Sequence, residues 1–319
     1  MDYWIAKKPE LLPDFIIGGA MKSGTTTIHQ ILATHPDVYI VPEEVNFFDI
    51  DNVLEHPDFS FFHKKSEGWI TQNMGSDYVK IWQWYRKKFE NKEDFLKGED
   101  STTYLASPIA AERIAQQKKA IKLVFILRQP SMRAFSNYLH LLRTGRATLS
   151  FEGMITTYPH VILNRSMYYT QLQVYYNLFK KERIHIVLFE DLINDSKVVI
   201  DGIIDFLSLD KNKFDYANLN IHSNKTKEPY SLQLQLFKNK IFSNYAKFSY
   251  KDSLPIMTSR NGIYVYDFFE RLYRKTFFKS RNRNLRISDA TKSFLDNFFY
   301  DNLKGIDQLT GRSIIEKWF

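Results

Sequence analysis

Gly19 and Gly24 frame a lysine and a serine, and two threonines follow, in Gly19-Ala-Met-Lys22-Ser23-Gly24-Thr25-Thr26. A short apolar run, Asp14-Phe-Ile-Ile-Gly-Gly19, precedes this stretch, and Ile28, Ile31 and Leu32 follow it at helical spacing. Strand, glycine-bearing loop, helix is the order that presents backbone N–H groups and the positive end of a helix dipole to a phosphate. A nucleoside-triphosphate loop places its lysine directly after the second glycine. Here Thr25 holds that place and Lys22 comes two residues before Gly24. Backbone amides and hydroxyls of Gly24, Thr25 and Thr26 therefore suit a 5′-phosphate, while Lys22 is aimed elsewhere, at the group being transferred. Taken alone, the loop also reads as a tight surface turn with a solvated lysine.

The elements that must hold this loop can be read from periodicity. Val38–Val41 and Ile184–Phe189 are short apolar runs, and Ile121–Leu127 is the strongest strand of the chain. Helical spacing runs over about 78–89, from Ser107-Pro108, from Pro130 to about Leu142, and over about 167–180 and 196–207. Residues 50–95 are otherwise loop-rich and aromatic. Strands alternating with helices of this length predict an α/β fold of the P-loop type, a central mainly parallel sheet flanked by helices. Residues 232–286 predict a helical, aromatic-rich C-terminal subregion, and Ser288 caps a further helix to about 303. With no repeat, low-complexity tract or Pro/Gly linker, 1–319 reads as one domain.

Composition narrows the partners. The chain has 319 residues, 44% of them hydrophobic, and a formal charge of +8. A positive balance favours an anionic ligand. Cysteine is absent, which excludes disulfides, cysteine nucleophiles and thiolate metal sites. No apolar run approaches the ~20 residues of a membrane span, and Met1-Asp2-Tyr3-Trp4 opens no secretory signal. The expectation is a soluble, cytoplasmic protein.

Three stretches together resemble the PAPS-dependent sulfotransferases, in particular the carbohydrate branch with the heparan sulfate glucosaminyl 3-O-sulfotransferases. Ile17–Thr26, continuing through His35-Pro36-Asp37-Val38 to Glu44-Val-Asn-Phe-Phe-Asp49, is similar to the family's 5′-phosphosulfate loop and the acidic segment after it. Leu127-Arg-Gln-Pro-Ser-Met-Arg-Ala-Phe-Ser136-Asn-Tyr138 resembles its 3′-phosphate segment, and Asn224-Lys-Thr-Lys-Glu-Pro-Tyr-Ser231 its late nucleotide-covering loop. The likeness runs from about 14 to 208 and resumes at 220–231. There are departures: Asn46 stands where the heparan enzymes usually have His, Asp100 where they often have Lys, and Glu228 and Ser231 where they have Gly and Cys. These point to a soluble, bacterial member with a different acceptor.

The resemblance implies transfer of a sulfuryl group from PAPS to a hydroxyl, or an amine, of a glycan or glycolipid, with PAP as product and no metal. Lys22 and Glu44 are the catalytic pair it implies, the first neutralising the leaving phosphate and the second taking the acceptor proton. Glu43 is adjacent and, in an extended segment, points the other way. Lys22, Ser23, Gly24, Thr25 and Thr26 would bind the 5′ side of the donor. Arg128 leaves the end of the strongest strand, where ligands gather in open α/β sheets, and its planar fork suits a 3′-phosphate together with Ser136. Lys225, Lys227 and Tyr230 would cover the nucleotide, or form an ordinary basic surface loop. Asp49 would bind or orient the acceptor, and His140 is the second candidate for the base. Arg133 reads as a structural salt bridge. No His/Asp/Glu set shows metal-ligand spacing.

The basic aromatic stretch 264–286 has three readings: an amphipathic helix with a core face, a contact for an anionic acceptor, or a peripheral contact with the inner membrane face. Nucleic acid fits poorly, since no binding motif accompanies the charge. A P-loop kinase and a non-catalytic nucleotide-binding or membrane-surface module remain the competing functions.

Overall fold

The computed structural model describes residues 3–56, 60–63, 67–71, 78–220, 229–251, 264–277 and 285–319. In chain order the elements begin β1 (Phe15–Gly19), α1 (Thr25–Leu32), β2 (Val38–Ile40), β3 (Ser60–His63), β4 (Gly68–Thr71), α2 (Tyr78–Lys87) and β5 (Leu96–Asp100). They continue with α3 (Pro108–Ala115), β6 (Lys122–Leu127), α4 (Pro130–Arg143), α5 (Phe151–Thr157), α6 (Pro159–Ile162), α7 (Tyr168–Leu178) and β7 (Ile184–Leu188). The last helices are α8 (Phe189–Asn194), α9 (Ser196–Leu207), α10 (Leu232–Lys251), α11 (Tyr264–Phe277), α12 (Asp289–Asn302), α13 (Ile306–Thr310) and α14 (Ile315–Trp318).

Five strands form a parallel sheet in the order β2-β5-β1-β6-β7, and β3 and β4 pair as an antiparallel hairpin. Alternate residues of each strand face opposite layers, as the period of two requires. Phe15, Ile17, Val124 and Ile126 pack with Ile28 and Ile31 of α1 and Ile200, Ile203 and Ile204 of α9. Ile16, Leu123, Phe125 and Leu127 pack on the other face with Ile114 of α3, Leu141 of α4 and Leu172 of α7, where Leu295, Phe299 and Trp318 of the C-terminal helices join them.

One central strand escapes any reading by pattern. β5, Leu96-Lys-Gly-Glu-Asp100, lies between β2 and β1, yet four of its five residues are charged or glycine. It is a strand because its neighbours accommodate it. Gly98 lets the ring of Phe15 lie across the backbone, where a Cβ would come within 2.3 Å of Phe15 Cζ. Glu99 accepts hydrogen bonds from the Tyr85 and Ser101 hydroxyls. The β3–β4 hairpin was likewise not anticipated within the loop-rich stretch.

Because the sheet is parallel, the segments leaving β1, β2, β5, β6 and β7 gather along its carboxyl edge. On either side of β1 the connections run in opposite directions, and such a switch point opens a crevice for a ligand. Farther out, α10 is bolted to α4: the amide nitrogens of Gln235 and Asn239 donate to the Leu142 carbonyl, and Asn239 donates also to that of Ala147.

Candidate active site

The loop after β1 turns back on itself at two left-handed residues, Lys22 at φ 68° and Gly24 at φ 94°. At Gly24 the conformation and the space agree, since a Cβ would meet the Phe189 ring at 2.9 Å. The Ala20 amide donates to Ile126 O at 2.7 Å, tying the loop to β6, and Gly24 caps α1. Thr25 is buried and Thr26 exposed at the first turn, and Ser23 is fully buried.

The strand–helix junction after β6 is locked to this loop. Arg128 Nη1 donates to the Lys22 carbonyl at 3.2 Å, and its guanidinium lies 4.5 Å over the Phe189 ring. Tyr168 donates to the Arg128 carbonyl at 2.9 Å. Burial lowers the Arg128 pKa, but an arginine keeps its charge. Ser136 is half-buried on α4, about two turns beyond Arg128. Arg133, expected in a salt bridge, is instead fully buried and donates to the Ser166 hydroxyl and the Ile162 carbonyl, neutral acceptors that fix the α4–α6 packing.

Glu44 lies just beyond β2 and is held by residues at the end of β5. The Val45 amide donates to Asp100 O at 3.3 Å and the Asn46 amide to Ser101 Oγ at 2.9 Å. Thr102 Oγ1 donates to Glu44 Oε2 at 3.1 Å, and Thr103 Oγ1 to Asn46 Oδ1 at 3.2 Å. Glu43 turns outward and pairs with Lys88. The Glu44 side chain opens to solvent in the cleft but is walled by protein on its other sides. That low-dielectric setting, with the Asp100 carboxylate as the second cause, pushes its pKa up to about 7 against the attraction of Lys22. Water at the open mouth offsets part of the shift, and an acceptor filling the cleft removes that water.

Lys22 is its counterpart. Burial draws the Lys22 ammonium down to about 8; Glu44 opposes the change, and Arg143, Arg146 and Arg165 add to it. Each member of the pair is thus a principal charge felt by the other. Asp100 in turn has its Oδ2 3.5 Å from His29 Nδ1 on α1, and burial raises its pKa.

A cleft of about 400 Å³ opens beside Glu44, with Met21, Asn46, Asn137, Arg146 and Arg165 among its lining residues. Arg165 is steadied by the Glu55 carbonyl at 2.7 Å and its carboxylate at 3.4 Å. Asp49, expected to meet the acceptor, is fully buried behind His56, whose Nε2 lies 3.0 Å from Asp49 Oδ1. It is His56 that lines the cleft. His140 is half-buried on α4 and is not among the lining residues, whereas Asn137 and Leu141 are. Tyr230 is exposed, and Lys225 and Lys227 lie outside the described residues.

Sequence reasoning missed Asp100 and Thr102 as neighbours of the carboxylate, and the cations Arg143, Arg146 and Arg165. The hydroxyl run Ser101-Thr102-Thr103 was the available signal, but only a strand ending at Asp100 gives it meaning. Among the described residues no group of His, Asp and Glu could hold a metal ion, and no helix is long and apolar enough to cross a membrane. The glycine-bearing loop after β1 thus brings the partly buried Lys22 ammonium near Glu44, whose carboxylate is raised and lines the cleft.

Residues 13–213 match the family described as the Sulfotransferase family, and the chain belongs to it. It is a sulfotransferase. It is 26% identical over 279 residues to heparan sulfate glucosamine 3-O-sulfotransferase 5 of Mus musculus, covering 83% of this chain and 72% of that protein. Over 153 residues it is 32% identical to the bifunctional heparan sulfate N-deacetylase/N-sulfotransferase 1 of Caenorhabditis briggsae, 48% of this chain and 16% of that one. A sulfotransferase from Alicyclobacillus acidocaldarius shares the fold, with a TM-score of 0.59 at 20% identity over 96% of this chain and 98% of its own.

Proposed function

We propose that the enzyme transfers the sulfuryl group of PAPS to a hydroxyl of a carbohydrate acceptor by in-line displacement. The observation that carries this reading is Glu44, on the segment after β2, lining one cleft with Met21 of the loop after β1 while its carboxylate feels the charge of the neighbouring Lys22. The donor fits the residues present. The Gly24 turn and the first turn of α1 offer amides and hydroxyls to its 5′-phosphate. Arg128, already fixed to the Lys22 carbonyl and stacked on Phe189, together with Ser136 would hold the 3′-phosphate.

Glu44 takes the proton of the acceptor hydroxyl as its oxygen bonds to sulfur. The bond from sulfur to the bridging oxygen breaks, and Lys22 neutralises the charge that collects on the departing phosphate of PAP. A carboxylate near 7 is well matched to this work, being ionised around neutral pH yet basic enough to accept the proton. Arg143, Arg146 and Arg165 give the surroundings of Lys22 a positive field, which favours an acceptor carrying carboxylate or sulfate groups. Heparan sulfate, in the names of the similar enzymes, is such a polymer.

Calorimetric titration of the purified protein with PAP and with ADP tests the donor assignment. Preference for PAP, reduced roughly ten- to hundred-fold by Arg128→Ala, is the expected result, the loss of a charge-assisted contact to phosphate. Equal affinity for the two nucleotides, or a preference for ADP, would remove PAPS as the donor.

A further inference from the structure

Helix α11 packs with its polar side inward. Glu270 is buried against α10 in an ion pair with Lys238, whose ammonium also lies 4.4 Å over the Tyr273 ring. Its apolar side faces out: Phe268 is 56% exposed, Phe269 62% and Leu272 47%. On α10, Leu234, Phe237 and Ile241 at i, i+3 and i+7 form a second exposed apolar stripe. The two helices thus present large hydrophobic side chains to solvent, an arrangement that marks a surface made to be covered.

The charge around this face says what covers it. Arg271 and Lys275 are exposed beside the α11 stripe, Lys240 beside that of α10, and Arg286 beyond α11. Between 264 and 286 there are seven Lys or Arg against two acids. A second copy of the chain would bring the same cationic rim against itself, which like-charge repulsion opposes. An apolar face rimmed by Lys and Arg is instead complementary to an anionic bilayer, where aromatic rings sit at the acyl boundary and cations meet the headgroups.

We infer that α10 and α11 form a peripheral docking face for an anionic membrane surface. The hydrogen bonds from Gln235 and Asn239 to Leu142 and Ala147 attach this face to the wall that carries Leu141 and Arg146 of the cleft. Docking therefore holds the cleft near the bilayer. The inference stands on the two helices alone and does not depend on the donor or the acceptor.

Co-sedimentation of the full chain with phosphatidylcholine vesicles, with and without about a third phosphatidylglycerol, tests it. Binding is expected only with phosphatidylglycerol and should weaken as salt is raised. Phe268→Ser with Phe269→Ser should reduce it roughly ten-fold or more, through lost apolar burial. Arg271→Gln with Lys275→Gln should reduce it about 25-fold, at about five-fold for each cation. Far-UV circular dichroism reports whether each variant folds, and the surface charge variant decides the matter if the phenylalanine variant does not. Absence of binding to both vesicle types, or binding unchanged in the folded variants, overturns the inference. A dimer by light scattering that the same substitutions dissolve also overturns it, assigning the face to a second copy.

Discussion

Replacing Asp100 with Asn should shift the acid limb of the pH–rate profile without disabling the enzyme. The Glu44 carboxylate is raised to about 7 first by burial and then by the Asp100 carboxylate. An Asn at 100 keeps the shape and still hydrogen-bonds His29, but removes the like charge. In the proposed mechanism the ionised form of Glu44 is the base, so kcat/KM should fall as pH drops through its pKa. At pH 6 a base with a pKa near 7 is about one-tenth ionised, whereas one lowered by roughly one unit is about half ionised. The variant should therefore be about five-fold more active than the parent at pH 6, and equal or slightly slower near pH 8, where both are ionised and the variant is the weaker base. Lys22, drawn down to about 8, should supply the opposite limb, because the proposed mechanism uses its charged form, which is lost as pH rises through that value. The assay is kcat/KM for sulfuryl transfer from pH 5.5 to 9, an interval of about one to two units beyond each of these values. A variant that loses activity equally at every pH, with its acid limb unmoved, would refute the coupling of Asp100 to Glu44.

Two further outcomes test the site and its surroundings. Glu44→Gln should leave PAP affinity within about two-fold by calorimetry while reducing kcat by ~10²–10⁴; unchanged turnover would take the base role from Glu44. Glu99 is fully buried and raised to about 7 by that burial, against the hydrogen bond from Tyr85. Its folded pKa lies above the unfolded value, so its contribution to stability is present at low pH and is lost as pH rises between about 4.5 and 7. Glu99→Gln should accordingly raise Tm at pH 8, by up to about 3 kcal/mol of stability, and leave it nearly unchanged at pH 4. Thermal melts at the two pH values check this, and equal effects at both would refute it.

Where side-chain pattern and backbone need agree, the fold was legible. β1, β6 and β7 are apolar runs, α3 starts at Ser107-Pro108, and Ser288 caps α12 by accepting the Thr291 amide. β5 was not legible, because periodicity reports burial of apolar atoms and this strand buries charged ones. Its place in the sheet depends on Phe15 lying over Gly98 and on hydroxyls from Tyr85 and Ser101 reaching Glu99. The same reason hid the orientation of α11: its sequence is amphipathic, but nothing within the segment says which side meets α10 until Lys238 is seen against Glu270.

The sequence by itself determined the glycine-bearing loop between β1 and α1, the positions of Lys22 in it and of Glu44 beyond it in the chain, and Arg128 at the end of the best strand, because each lies within a few residues of a local element boundary. Only the tertiary structure decided what those groups are chemically. Burial first, then Asp100 from a strand invisible to pattern and Arg143, Arg146 and Arg165 from α4 and the segments after it, shift the pKa values of Glu44 and Lys22. Packing placed Asp49 behind His56 rather than in the cleft. Ionisation depends on burial and on charges a few ångströms away, and these arrive from segments far apart in the chain.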